Sequence, residues 1–289
     1  MLIIALGQTG INIAAKFNET PGFELIAIGS DSDKIPTKID FSKVLKVREQ
    51  KNSEEYENRT DLSGLEDFAK GTQESSVCLI CSSCGRISGL TLRILEMFQG
   101  KILNVLLVVP DESLLIGNKK TQSKITLGVL QEFARSGLLN SLLIINNRLI
   151  EKIYGKLSVF AYFDKINAVI YHAFKTWNIF QNTTPVFESR VEVPEISRIM
   201  TISVCDLGSR EEQAFFELKN IGTKDYFLLI SKAKLEEDEA LLESIKLFVM
   251  TKKSEDTEVG FHIYESTETN SDLVYIIGAH YSSKIQELD

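Results

Sequence analysis

Five short apolar runs in the first half of the chain, at residues 2–6, 24–28, 77–81, 102–109 and 141–145, each open into a loop and then a helical pattern. The intervening stretches 10–18, 62–69, 90–98 and 121–135 carry apolar residues every three or four positions, the period of an amphipathic helix. Runs without polar alternation suit strands buried on both faces, and regular strand–helix alternation implies a parallel sheet flanked by helices. A doubly wound α/β arrangement is therefore expected. Residues 43–59, which contain Lys51-Asn52-Ser53-Glu54-Glu55, are polar enough to read as a mobile surface loop.

A longer helical pattern starts near Val159 and continues through Phe163, Ile166, Val169, Ile170, Ala173, Phe174 and Trp177, apolar on more than one side. An irregular segment with Pro185 and Pro194 follows, then strand-like runs at 199–204, 226–231, 260–265 and 273–279 and one helix at 235–249. This second half reads as a smaller α+β domain with a mixed sheet. At 289 residues, two domains are the natural expectation. The divisions fall at 1–158 for the first domain, 159–180 for a central helix, 181–196 for a loop and 197–289 for the second domain.

With 44% hydrophobic and 25% charged residues the chain has the composition of a soluble globular protein. A formal net charge of -8 argues against a broad basic surface for nucleic acid or anionic lipid. No apolar run is long enough to span a bilayer, so the expectation is a cytoplasmic protein with no membrane partner. Cys78, Cys81 and Cys84 form C-x-x-C-x-x-C, which has the look of part of an iron–sulfur motif. The first two fall in a strand-like run, where residues three apart face opposite ways, so they read as buried small residues. His172, His262 and His280 are scattered, and no metal site is expected.

The first run ends in Leu6-Gly7-Gln8-Thr9-Gly10-Ile11-Asn12, directly before a helix. Glycines permit a sharp turn and close approach of a ligand, and a helix N-terminus offers free N–H groups to phosphate. The dinucleotide pattern G-x-G-x-x-G is absent, and Gly117-Asn118-Lys119-Lys120 is not a G-x-x-x-x-G-K-[ST] loop.

The order of several such segments resembles the FtsZ/tubulin superfamily. The stretch from Gly7 to Phe17 resembles the first nucleotide loop and helix of tubulins, and Ile26-Ala27-Ile28-Gly29-Ser30-Asp31 resembles the second strand and loop of the FtsZ branch. Ile144-Ile145-Asn146-Asn147-Arg148-Leu149 is similar to the family's I-x-N-[DN]-[KR]-L, and Phe163 with Asn167 matches its F-x-x-x-N. Arg190-Val191-Glu192-Val193-Pro194-Glu195 is similar to its N-x-D-x-x-D loop, with Glu for both Asp residues and Arg for Asn. The resemblance implies that the first domain binds GTP or GDP, with Mg2+ as a companion ion. Phosphate would meet Gly7, Gln8, Thr9 and Gly10 on one side and Gly85, Arg86, Ser88 and Gly89 on the other. Asn12, Asp31 and Lys120 would complete the nucleotide surround, and Asn146, Phe163 and Asn167 would take the guanine. Glu192 and Glu195 would serve as catalytic, water-orienting carboxylates lent to the next subunit of a head-to-tail homopolymer.

The family's Gly-rich phosphate loop stands here as Ser82-Ser83-Cys84-Gly85-Arg86-Ile87-Ser88-Gly89, in which Arg86 and Ile87 must point away or occupy phosphate space. A tubulin-like scaffold that assembles or binds partners without turnover is therefore an open alternative. A transferase-type α/β enzyme using the Gly7–Gly10 turn is a third, which leaves Asn146, Phe163 and Asn167 unexplained. The chain ends at Gln286-Glu287-Leu288-Asp289 without the linker and terminal peptide of cell-division proteins. That favours analogy with phage- or plasmid-type relatives, whose adaptors link filaments to DNA or virions.

Overall fold

The computed structural model describes residues 1–155, 157–158, 160–266 and 270–287. The chain divides into two compact units, residues 1–171 with 285–287, and residues 172–284.

The first unit begins with β1 (Leu2–Leu6), α1 (Gly7–Ala14), β2 (Glu24–Ser30) and β3 (Lys43–Val47), followed by α2 (Ser53–Arg59) and α3 (Ser63–Gly71). It continues through β4 (Ser76–Ser82), a short 3-10 turn (Arg86–Leu90), α4 (Thr91–Met97), β5 (Ile102–Val109), α5 (Asn118–Arg135), β6 (Ser141–Asn146) and α6 (Asn147–Tyr154). The six strands form a wholly parallel array in the order β3-β2-β1-β4-β5-β6. All five residues of β1 are buried, as are Cys78 and Cys81 in β4, whose thiols burial pushes up to about 12. From β1 the chain turns to β2 on one side, and from β4 to β5 on the other. Right-handed crossovers in opposite directions put their helices on opposite faces and open a crevice between the C-terminal ends of β1 and β4.

The segment expected as a loop at 43–59 is instead an edge strand and a helix. Lys43-Val44-Leu45-Lys46-Val47 alternates, and lysines on an outer strand disguise it in sequence while discouraging edge-to-edge pairing. Asn52 caps α2 by accepting from the Glu55 N–H at 2.8 Å, and Tyr56 is that helix's one buried anchor. Eight-residue α6 is likewise too short to show a helical period in sequence.

The long helix, α7 (Tyr162–Gln181), begins in the first unit and ends in the second. The expected start at Val159 lies outside the described residues, as do Leu288 and Asp289. In the first unit, Lys16 Nζ meets Asp164 Oδ1 at 2.7 Å, and the Phe17 and Tyr171 rings pack edge to face at 4.7 Å.

The second unit has β7 (Phe187–Ser189), β8 (Ile199–Cys205), β9 (Glu212–Ala214) and β10 (Thr223–Ser231), then α8 (Lys232–Glu237), α9 (Leu241–Lys252), β11 (Glu258–Ser266) and β12 (Val274–Ser282). Its strands run β8-β12-β10-β11-β7 with β9 on β8; only β10 and β11 are parallel. The mixed sheet is thus as expected, but the single helix at 235–249 is two. Asp238 ends α8, and its Oδ1 accepts from the Ala240 N–H at 3.1 Å, a local turn that restarts the chain as α9. Leu241, Ile245 and Phe248 of α9 pack on Tyr226, Leu228 and Ile230 of β10. On the other face Phe180 stacks on Phe227 and Tyr264 at centroid distances of 5.7 and 4.5 Å.

Candidate functional site

The crevice between the ends of β1 and β4 is a cleft of about 300 Å³. Gly7, at φ +68°, makes the turn from β1 into α1, a left-handed backbone that suits glycine. Gly7, Gln8 and Thr9 line one part of the cleft, and Ser82, Cys84, Gly85, Arg86, Ile87 and Ser88 line another. The loop after β4 is pinned by α5: the Gln122 amide donates to the Gly85 carbonyl at 2.6 Å and to Ser88 Oγ at 2.9 Å, and Ser83 Oγ meets Ser123 Oγ at 2.6 Å. Two of the glycine-rich segments identified in sequence therefore converge at one place.

Several of the residues singled out in sequence also make contacts within the chain. A Cβ at Gly10 would stand 2.4 Å from the Ile80 carbonyl oxygen of β4, and one at Gly89 would stand 2.1 Å from that of Ser53. Both glycines allow close approach of backbone to backbone. Asn12 Oδ1 accepts from the Gln8 amide at 2.8 Å, while Gln8 Oε1 accepts from the Lys34 N–H at 2.7 Å. Asp31 is exposed and accepts from the Glu49 N–H at 3.3 Å; two residues on, Asp33 lines the cleft. Lys120 faces Glu112 at 3.6 Å, and its neighbour Lys119 is the lysine at the cleft.

The cleft also holds its own counter-charges. Arg86 Nη2 lies 2.7 Å from Glu49 Oε1, and Nη1 donates to the Gln50 carbonyl at 3.4 Å. Ile87 is buried, with Cγ2 2.7 Å from where a Gly7 Cβ would be, so its side chain closes down on the first glycine turn. Glu49 and Gln122 gave no motif signal, because only the folded chain brings them to the loop after β4.

Asn146, Phe163 and Asn167 are not among the residues lining this cleft. Asn146 ends β6 at the same edge of the sheet, and its Oδ1 caps α6 by accepting from the Arg148 N–H at 2.9 Å. That cap leaves its amide nitrogen uncommitted to the helix. Phe163, in the first turn of α7, is 65% exposed and meets the Tyr162 ring edge to face at 5.1 Å, while Asn167 is buried. Tyr162 OH donates to Glu151 of α6 at 3.0 Å, which ties that turn to the end of β6 through α6.

In the second unit, Glu192 and Glu195 are exposed. The Ser197 N–H closes a turn on the Pro194 carbonyl at 2.8 Å, and Arg198 Nε donates to the Glu195 carbonyl at 2.7 Å. Arg190 pairs with Glu188 at 2.9 Å. Among the described residues, no group of three or more His, Cys, Asp or Glu is placed to hold a metal ion, and no helix is long and apolar enough to cross a membrane.

Comparison with solved structures decides the fold. The chain superposes on an FtsZ dimer structure from M. jannaschii with a TM-score of 0.71 at 12% identity, covering 97% of this chain and 87% of that one. This is the FtsZ/TubZ fold. A GTPγS-form protofilament of TubZ from Bacillus thuringiensis serovar israelensis gives 0.66 at 14% identity, over 99% and 86%. A helical model of the four-stranded TubZ-Bt filament gives 0.69 at 14% identity over the same shares. No protein-family model matches the sequence, and no curated protein matches it. The chain thus shares the FtsZ/TubZ fold at 12–14% identity.

The cleft suits the phosphate end of a nucleotide in part. A glycine turn at a helix N-terminus and two cationic side chains, Arg86 and Lys119, are present. Ile87 narrows the space above Gly7.

Proposed function

We propose that this chain is a GTP-binding protein of the tubulin/FtsZ type that polymerises head to tail into filaments. The observation that carries the reading is the convergence of Gly7–Thr9 and Gly85–Ser88 on one cleft at the β1/β4 crevice, within an FtsZ/TubZ fold that spans nearly the whole chain. Phosphates lie at Gly7 and Gly85, with Arg86 and Lys119 as counter-charges. The guanine lies towards Asn146 and Asn167, with the exposed ring of Phe163 as its flat apolar partner. GTP or GDP, with Mg2+, is the ligand.

Glu192 and Glu195 are the groups one subunit lends to its neighbour. Exposed carboxylates can orient an attacking water, and phosphoryl transfer depends chiefly on such positioning and on charge stabilisation. Pelleting and light scattering should rise with GTP over nucleotide-free buffer. Glu192→Ala or Glu195→Ala should slow phosphate release by about 10²-fold while leaving GTP binding intact. Unchanged release in both variants would reject the catalytic role. The homopolymer is cytoplasmic and engages cargo through a DNA- or virion-linked adaptor.

A second reading, assembly without turnover, is favoured by Ile87 packed over Gly7 and by Arg86 held on Glu49. Filaments seen by electron microscopy in nucleotide-free, chelated buffer would support it; strict GTP dependence would exclude it.

A further inference from the structure

Glu49 reaches the cleft from the segment between β3 and α2, far in sequence from either glycine turn. Its carboxylate occupies the Arg86 guanidinium at 2.7 Å, the Gln50 carbonyl takes a second guanidinium N–H, and Asp31 accepts from the Glu49 N–H at 3.3 Å. Residues 48–51 are thus drawn to the cleft by Arg86 on one side and Asp31 on the other. Directly beyond them, Lys51 N–H donates to Glu55 Oε2 at 3.2 Å and Asn52 caps α2.

A guanidinium fork binds a carboxylate and a phosphate with the same bidentate geometry, so the two compete for it. The Glu49–Arg86 pair is half-exposed, and ion pairs of that kind are weak. An incoming polyphosphate, with more charge and more acceptor oxygens than one carboxylate, displaces it readily. From this geometry we infer that Glu49 is a built-in competitor for the phosphate site: a polyphosphate binds by taking Arg86 from Glu49. The inference rests on the nucleotide reading above and adds to it a residue that sets ligand affinity.

The test is equilibrium binding of GTP and of inorganic tripolyphosphate to the full chain, compared among wild type, Glu49→Gln, Arg86→Gln and the double variant. Glu49→Gln should bind both ligands about two- to fivefold tighter, the amount expected for release of an exposed pair. Arg86→Gln should bind about tenfold weaker, and the double variant should match Arg86→Gln. A residue with only a structural role would not tighten binding when removed. Wild-type binding with no gain in Glu49→Gln, or an equal gain in the Arg86→Gln background, overturns the exchange alone. Absence of GTP binding in wild type and Glu49→Gln alike overturns the nucleotide reading with it.

Discussion

His262 of β11 lies between two carboxylates, with Nδ1 3.2 Å from Glu188 of β7 and Nε2 3.0 Å from Asp225 of β10. Only the imidazolium donates from both nitrogens. Burial opposes that charge, but Asp225 and Glu188 outweigh it and raise the pKa above the usual histidine value. A raised folded pKa stabilises fully below the unfolded pKa, and the stabilisation is lost as pH rises through the folded one. Arg190 beside Glu188, and Tyr264 and Tyr281 near Asp225, are the other titratable groups at this spot. Urea unfolding should therefore show lower stability at about pH 9 than at about pH 6, and His262→Gln should flatten that slope. Glu212 answers to the opposite end of the scale. Burial alone would raise its pKa, yet His280 at 2.7 Å and Lys224 at 2.9 Å hold it well below the carboxylate range. Its contribution is present above the unfolded carboxylate pKa and is lost as pH falls through the folded one.

Close approach of elements is where glycine replacement separates packing from propensity. Gly10→Ala puts a methyl 2.4 Å from the backbone of β4, which cannot yield as a side chain can, so a loss of about 1–3 kcal/mol is expected. Gly128→Ala, in open space on α5, should raise stability by about 0.5–1 kcal/mol through helix propensity. Both are read by chemical denaturation. A buried clamp on α5 makes a further case. Gln131 donates to the Gln286 carbonyl at 2.9 Å and accepts from its N–H at 2.6 Å, holding residues 285–287 on the first unit. Gln131→Leu removes both of these bonds and should cost about 1–3 kcal/mol in the same assay. The inner strands of this unit were readable because each is a continuous apolar run buried on both faces. β3 and α2 were not, since an edge strand with Lys43 and Lys46 and a helix with one buried tyrosine give too little apolar signal.

Across the whole molecule, a net charge of -8 makes copies repel at long range. If the chain assembles as proposed, raising salt from about 0.05 to about 0.3 M should increase the pelleted fraction by screening that repulsion, until weaker phosphate binding reverses the gain. Agreement with FtsZ and TubZ structures over 97–99% of this chain at 12–14% identity shows how little of such a fold depends on particular side chains. In this chain it is carried by the alternation of buried runs and amphipathic helices and by a few glycine turns.

Those features are local in the chain, and for that reason the sequence alone specified the parallel α/β first unit, the mixed-sheet second unit and the two turns that frame the cleft. The content of the cleft was not local. Glu49 on Arg86, Ile87 over Gly7 and Gln122 under Gly85 all join residues from separate elements. Periodicity reports which face of an element is buried, but not which side chain another element delivers to it; only packing the strands and helices together decided that.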